Sequence, residues 1–336
     1  MGGAPFKAFR IHEERGQDGN ARIVARFEHL TLDDLSGGDV VIRVTYSGIN
    51  YKDALAATGT GKILRKYPLV GGVDLAGTVE SSTDARYKPG DAVLVTGCEL
   101  SEIYDGGYAQ YARVKGDWVI PLPAGLDARA AMALGSAGFT AALAIHRMEQ
   151  NDQLPANGPI VVTGATGGVG SIAVNMLAAR GYEVIAVTGK AQATEYLTSI
   201  GAARVLLRQE IDLGKRPLER AQFAGAIDNV GGEILTWLTR TMSYGGNIAS
   251  IGLVASAKLE TTVMPFILRA VNLLGINSSL TPRDLRLAVW KRIASDLAPP
   301  HLHRMITAEI DFEALPAAFP AYIKGEVIGR TVVRIG

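Results

Sequence analysis

Two hydrophobic periods divide the chain. From Lys7 to about Pro123, the segments FKAFRIHE, ARIVARFEHL and DVVIRVTYSGIN alternate apolar and polar residues. PLVGGVDLAGTVESS, KPGDAVLVTG and GGYAQYARVKGDWVIPLP continue the series between turns rich in Gly, Asp and Asn, with Pro89, Gly90 and Asp91 forming a tight turn. A period of two predicts a mostly β, barrel-like domain, with one short helix beginning near Tyr51. DARAAMALGSAGFTAALAIHRM, from Asp127 to Met148, loses that alternation, and its Ala, Leu and Met content predicts one or two helices. From Ile160 onward, short apolar runs (IVVT, EVIAV, ARVLLRQ, AGAIDNVGG, GGNIASIGL and LLGINSS) alternate with segments of helical spacing. That alternation predicts a parallel, doubly wound α/β sheet.

After Ser279 the pattern changes again. TPRDLRLAVWKRIASDL reads as a helix with Thr281 as its cap and Pro282 in its first turn, followed by a helix near Phe312 to Ile323 and a last strand, GRTVVRIG. A terminal strand must find a sheet, and the N-terminal β domain is its host. The expected organisation is therefore a nucleotide-binding domain, residues 131–279, inserted into a β domain made of residues 1–130 and 280–336.

The stretch from Ile160 to Val174, IVVTGATGGVGSIAV, carries the clearest chemistry. Gly164, Gly167 and Gly170 are spaced G-x-x-G-x-x-G. Gly164 can make the tight turn out of the strand, Gly167 and Gly168 let backbone N–H groups approach a pyrophosphate, and Gly170 lets helix and strand pack closely. The phosphates would sit at the positive end of the helix dipole. Glycine spacing alone also fits a turn with no ligand, but the strand before it, the SIAVNMLAARG helix after it and the GYEVIAV strand complete a βαβ unit. At the end of that second strand, an NAD-preferring fold carries Asp or Glu for the ribose hydroxyls, whereas here stand Thr188, Gly189 and Lys190. A hydroxyl, a flexible backbone and a cation suit a 2′-phosphate, so NADPH is expected over NADH.

Composition narrows the partners. Lys and Arg number 34 against 33 Asp and Glu, with no block of like charge, so neither nucleic acid nor an anionic membrane is expected and a small-molecule substrate is. A length of 336 residues, 48% of them hydrophobic, suits two cores. The single cysteine, Cys98, excludes an internal disulfide and a cysteine-rich zinc module, and fits a reducing compartment. No apolar run is read as a signal peptide or a membrane span, which makes a cytoplasmic location the expectation.

INYKDALAATG, GVDLAGTV, the Pro-Gly-Asp turn, GGYAQY, GSAGFTAALA, VVTGATGGVG, AIDNVGG and the terminal GRTVV occur in the order found in one enzyme family. On these motifs the chain resembles the medium-chain dehydrogenase/reductase superfamily and its zinc-free quinone oxidoreductase branch. NYKD, EYLTSIGA and LTPRDLRLAVWKRIASDL make it most similar to the acrylyl-coenzyme A reductase subfamily. The resemblance implies a Rossmann domain inserted into a GroES-like catalytic domain, and a homodimer. It implies NADPH-dependent reduction of an α,β-unsaturated carbonyl, acrylyl-coenzyme A to propionyl-coenzyme A. Reduction of a quinone or enone, and NADPH binding with little catalysis, remain open beside it.

Where zinc-dependent relatives carry ligands, this chain has Asn50, Tyr51, Val73 and Asp74, and GSAGFT lacks Cys, so no metal is expected. By the same resemblance, Asn50 and Tyr51 open a helix beside the nicotinamide. The Tyr51 hydroxyl is then able to bind the cofactor, orient the substrate carbonyl or pass a proton, and Asp53 caps the helix or positions Tyr51. Thr166, Gly167, Gly168 and Val169 are carried over for the pyrophosphate. Asn229, Gly252, Leu253 and Asn277 are carried over at strand ends, and Arg330 as a cofactor contact reaching across domains. Arg283 and Arg286, on the late helix, could also meet coenzyme A phosphates.

Overall fold

The period-two segments pair as strands. In the computed structural model, which describes residues 4–16 and 19–336, Phe6–Arg15 runs antiparallel to Ala21–Leu30, with Phe6 opposite Leu30 and Arg15 opposite Ala21. Leu69–Val70 completes that sheet. A second sheet orders Ile306–Asp311, Arg330–Arg334, Val40–Ile49, Asp74–Ser82, Ala92–Thr96 and Ile120–Pro121, and Tyr111–Val114 also pairs with Val40–Ile49. The last strand thus finds its predicted host, with Thr331 opposite Ile49. Ile306–Asp311, a strand the sequence reading left out, lies parallel to it at the sheet edge. The core between these sheets includes Phe9, Tyr108, Phe312 and Phe319. Phe27 meets Phe9 and Phe312 edge-to-face at centroid distances of 5.1 and 5.0 Å.

The doubly wound sheet is wholly parallel. Its strands lie in the order Arg204–Leu207, Val184–Thr188, Ile160–Thr163, Phe223–Asp228, Met242–Ser250 and Asn272–Gly275. Every residue of Ile160–Thr163, Val184–Thr188 and Phe223–Asp228 is buried, as a sheet covered on both faces requires. The winding reverses between Ile160–Thr163 and Phe223–Asp228, which makes the carboxyl ends of those two strands the place where such sheets bind ligands.

The chain divides into two compact units, Met1–Ser136 with Ser279–Ala288 and Ile306–Gly336, and Ala137–Ser278 with Val289–Met305. The division differs from the expected 131–279 insertion for a packing reason. Trp290 is buried and stacks on Phe139 at 6.2 Å, and Arg292 pairs with Glu149 at 2.7 Å, so 289–305 goes with the second unit. The helix Ala128–Glu149 is broken at Gly135, whose φ of 51° and ψ of −153° are not helical, next to where the units part. That helix corrects the reading that no segment could span a membrane: its 22 residues reach a mean hydropathy of 1.4 over an 18-residue window. The apolarity belongs to a core helix, because 78% of the window is buried inside the protein.

Close packing of helix on strand makes one glycine indispensable. A Cβ on Gly170 would stand 2.3 Å from the Gly164 carbonyl oxygen, whereas one on Gly167 would meet nothing nearer than 3.4 Å. Gly170→Ala is expected to cost roughly 1–3 kcal/mol, as overpacking does, and Gly167→Ala almost nothing. Thermal denaturation of the two variants side by side checks this contrast.

Candidate functional site

Along the carboxyl edge of the parallel sheet, the residues singled out from the sequence fall in spatial order. Gly164, at φ 57°, turns the chain out of Ile160–Thr163, and the helix Gly168–Ala179 starts at once with Gly167 as its cap. Its first N–H groups have no partner within the helix and point outward beside buried Thr166 and the first-turn residue Val169, an anion cradle. Thr163 Oγ1 donates to the Asp228 carboxylate at 2.6 Å and accepts from the Asn229 N–H at 3.0 Å, tying the two strand ends at the reversal of the sheet. Burial raises the Asp228 carboxyl above its ordinary range. Asn229 Nδ2 donates to Thr163 O at 2.8 Å, and its Oδ1 is buried without a partner among the described residues, an acceptor left over for a ligand donor. Gly252 packs so close that a Cβ would lie 2.1 Å from Asn229 O. Leu253 beyond it is exposed, and Asn277 is exposed two residues past the outermost strand.

On the other side of the glycine turn, Thr188 ends its strand buried, its hydroxyl accepting the Lys190 N–H at 3.1 Å. The sequence reading missed a neighbour here. Leu207 pairs with Thr188, so Arg208, the next residue, reaches the same edge, its Nη2 3.8 Å from where a Gly189 Cβ would stand. Arg208 is exposed and pairs with no carboxylate among the described residues. A cation directly after the third strand was the available signal. These groups fit a 2′-phosphorylated dinucleotide: a turn stripped of side chains, a helix N-terminus, an orphaned buried acceptor and two cations at one end.

In the first unit, the helix Tyr51–Thr58 begins at Asn50 and is stopped by Gly59 at φ 69°. Asp53 caps it, its Oδ2 accepting the Asn50 N–H at 2.8 Å and its Oδ1 the Val73 N–H at 3.0 Å. The Asn50 side chain bridges outward: Nδ2 donates to Asp74 Oδ2 at 2.8 Å and Oδ1 accepts from Arg330 Nη1 at 3.1 Å. Asp74 also accepts the Ser136 N–H at 2.9 Å and hydroxyl at 2.5 Å. Tyr51, 39% exposed at the first helical position, has a hydroxyl with no partner among the described residues. No contact joins it to Asp53, so the acid holds the turn that presents Tyr51 rather than the phenol itself.

One expectation is corrected by burial. Arg330, expected to touch cofactor across domains, is 2% exposed, and its donors go to Ala133 O, Ile49 O, Met132 O and Asn50 Oδ1, all within its own unit. Arg286 is likewise buried, donating to Thr96 O and Ser279 O, while Arg283 donates to Val119 O and the Tyr87 hydroxyl, which leaves neither as a free phosphate clamp. The donor set at the positions of zinc ligands does not fit a metal: Asn50 and Asp74 are bonded to each other and to Ser136 and Arg330. His301 is bonded to Asn175, with 3.0 Å between Nδ1 and Nδ2.

A dinucleotide-binding α/β unit joined to a β unit defines a nicotinamide-type oxidoreductase architecture. Residues 36–124 match the family model described as the alcohol dehydrogenase GroES-like domain, and residues 168–295 the one described as zinc-binding dehydrogenase. The chain is 49% identical over 312 residues to the acrylyl-CoA reductase AcuI of Ruegeria pomeroyi, covering 93% of this chain and 94% of that protein. It is 47% identical over 307 residues to YhfP of Bacillus subtilis, provisionally named a quinone oxidoreductase, covering 91% and 93%. The yhdH oxidoreductase of Salmonella enterica in complex with NADP superposes with a TM-score of 0.93 at 45% identity, covering 98% of this chain and 100% of that one. YhfP with NAD bound superposes with a TM-score of 0.95 at 44% identity, covering 99% and 100%. The chain belongs to the medium-chain dehydrogenase/reductase superfamily. Within it, it stands in the branch of the acrylyl-CoA reductases and the quinone oxidoreductases, and it is an oxidoreductase.

Burial pushes the Asp53 carboxyl up to about 7 from its ordinary 3.8; the Asp74 carboxylate adds to the rise, and the N–H groups of Asn50 and Val73 oppose it. The folded state therefore keeps this proton where the unfolded chain has lost it. The stability it contributes is full below the unfolded value and is lost as pH rises through the folded one. Asp53→Asn cannot ionise. Between roughly pH 4 and 7, the Tm of the wild type is expected to fall relative to that of Asp53→Asn and to level off above; parallel curves in thermal denaturation would disconnect Asp53 from the pH response.

Proposed function

We propose that this enzyme is an NADPH-dependent reductase of α,β-unsaturated carbonyl compounds, acting on acrylyl-coenzyme A to give propionyl-coenzyme A without a metal. The observation that carries the reading is the sheet edge where Lys190 and Arg208 flank Gly189, in a chain with 49% identity to an acrylyl-CoA reductase. NADPH, when bound, supplies the hydride for the β-carbon of the enoyl thioester.

The N–H groups at the start of the helix Gly168–Ala179 hold the pyrophosphate, and Lys190 and Arg208 hold the 2′-phosphate, which a carboxylate in their place would repel. As the double bond is reduced, negative charge gathers on the thioester carbonyl oxygen, where a hydrogen-bond donor stabilises it. Tyr51, whose hydroxyl has no partner among the described residues, is that donor, and one such bond supplies about 3–4 kcal/mol of barrier lowering. Asn50, Asp53 and Asp74 keep the helix start in place. A quinone reductase is the second reading, favoured by the name of YhfP at 47% identity.

The working unit we propose is a homodimer. Among the described residues the edge strand Asn272–Gly275 is unpaired on one side, and beside the exposed Leu273 the helix Met264–Arg269 presents Ile267, 72% exposed, and Leu268. An open strand edge flanked by apolar side chains suits a second copy of the chain across a two-fold axis.

Tyr51→Phe is expected to lower kcat about 10²–10³-fold with little change in the KM for NADPH, and a fully active variant would remove the hydroxyl from the chemistry. Lys190→Ala and Arg208→Ala are expected to raise the KM for NADPH about tenfold each and to leave that for NADH unchanged. Equal effects on the two cofactors would count against the 2′-phosphate assignment. Ile267→Glu is expected to shift the protein from dimer to monomer in light scattering. Turnover of benzoquinone but not of acrylyl-coenzyme A, followed by cofactor absorbance, would select the second reading.

A further inference from the structure

Among the cavities of the first unit that the catalytic reading does not use, one is rich in cations. It encloses about 420 Å³ and is lined by Lys52, Lys62, Ile63, Leu64, Arg65 and Glu102. We propose that it receives the phosphate-bearing adenosine end of a coenzyme A thioester, a proposal that rests on the thioester reading above.

Charge is the first argument. Lys62-Ile63-Leu64-Arg65-Lys66 places three cations in five residues, in a chain whose net charge is only +1. Of these, Lys62 and Arg65 line the cavity together with Lys52, three cations against the two nearby carboxylates, Glu99 and Glu102. Those carboxylates do not use the cations up. Glu102 is engaged by Lys52, but the nearest approaches of Arg65 to Glu99 and Glu102 are 3.9 and 4.0 Å, the outer limit of an ion pair, with its side chain 66% exposed. Lys62 forms no ion pair among the described residues and is exposed. Clustered, weakly paired cations attract a multiply charged anion, and a phosphate can take charge-assisted hydrogen bonds from several at once.

Position is the second argument. Lys52 directly follows Tyr51 in the first turn of its helix, so the cavity adjoins the helix end that presents the Tyr51 hydroxyl. Coenzyme A esters carry the reacting carbonyl at one end of a flexible arm and the phosphates at the other. A substrate bridging from Tyr51 to a basic cavity uses both ends, and its remote phosphates anchor the reacting carbonyl. Buried Leu64 and half-buried Ile63 give the cavity an apolar side, which suits the uncharged parts of such a ligand. A quinone, small and uncharged, would draw nothing from these cations.

The test compares wild type with a Lys62→Ala/Arg65→Ala double variant, both sites being exposed, on acrylyl-coenzyme A and on the acrylyl thioester of N-acetylcysteamine, which lacks all phosphates. The variant is expected to raise the KM for acrylyl-coenzyme A about tenfold, with kcat, the KM for NADPH and kcat/KM for the short thioester unchanged. Added salt should raise the wild-type KM for the coenzyme A ester more than that of the variant. An unchanged KM for the coenzyme A ester, or an equal loss on both thioesters, would overturn the assignment. Titration of free coenzyme A into both proteins separates this from the reductase reading. If wild type turns over neither thioester, the reductase reading fails, whereas coenzyme A binding that weakens about tenfold in the variant still upholds the cavity, and binding that does not weaken rejects it.

Discussion

A carboxylate with no access to water has to be satisfied by the protein, and much of the β unit is arranged around that demand at Asp74. Its oxygens take donors from Ser136, on the kinked helix, and from Asn50, at the head of another helix. Asn50 passes the connection to Arg330 on the terminal strand, whose guanidinium then collects three backbone carbonyls. Segments far apart in the chain are thereby fixed to one another by a single polar network. Breaking one member would strand others in a low-dielectric interior, which costs far more than a surface hydrogen bond is worth.

The parallel sheet works by a different economy. Its central strands are buried on both faces and carry almost no chemistry, so polar groups gather where those strands end. Thr163, Asp228 and Asn229 stitch two neighbouring strand ends together, and the glycine turn beside them leaves backbone donors uncovered. Rigidity below and bare backbone above are what a tightly held dinucleotide demands.

Legibility in the sequence followed the range of each interaction. The glycine turn, the alternation of strands with helices, and the pairing of the last strand with the first domain were readable, because local spacing and the need of a strand for a sheet determine them. The Asn50–Asp74–Ser136 network was not, since its members are 24 and 62 residues apart and none is unusual in its own neighbourhood. Arg330 looked like a ligand-binding cation, because a sequence cannot reveal that a guanidinium is enclosed by carbonyl oxygens. Arg208 escaped notice for the opposite reason: it gains its place only through the pairing of Leu207 with Thr188. The edge strand Ile306–Asp311 alternates apolar and polar residues without burying any of them fully, so it lacks the continuous apolar run that marked the buried strands.

Gly135 ties the kinked helix to the buried acid. Its backbone sits at φ 51°, and any side chain there would bring a Cβ within 2.6 Å of Asp74 Oδ2 and 3.1 Å of Arg330 Nη2. A side chain at 135 would therefore displace the carboxylate that joins Ser136 to Asn50, and would strain the backbone besides. The break in the helix and the seating of the buried acid are one feature of the structure, since the missing Cβ makes the room that the Asp74 oxygen occupies.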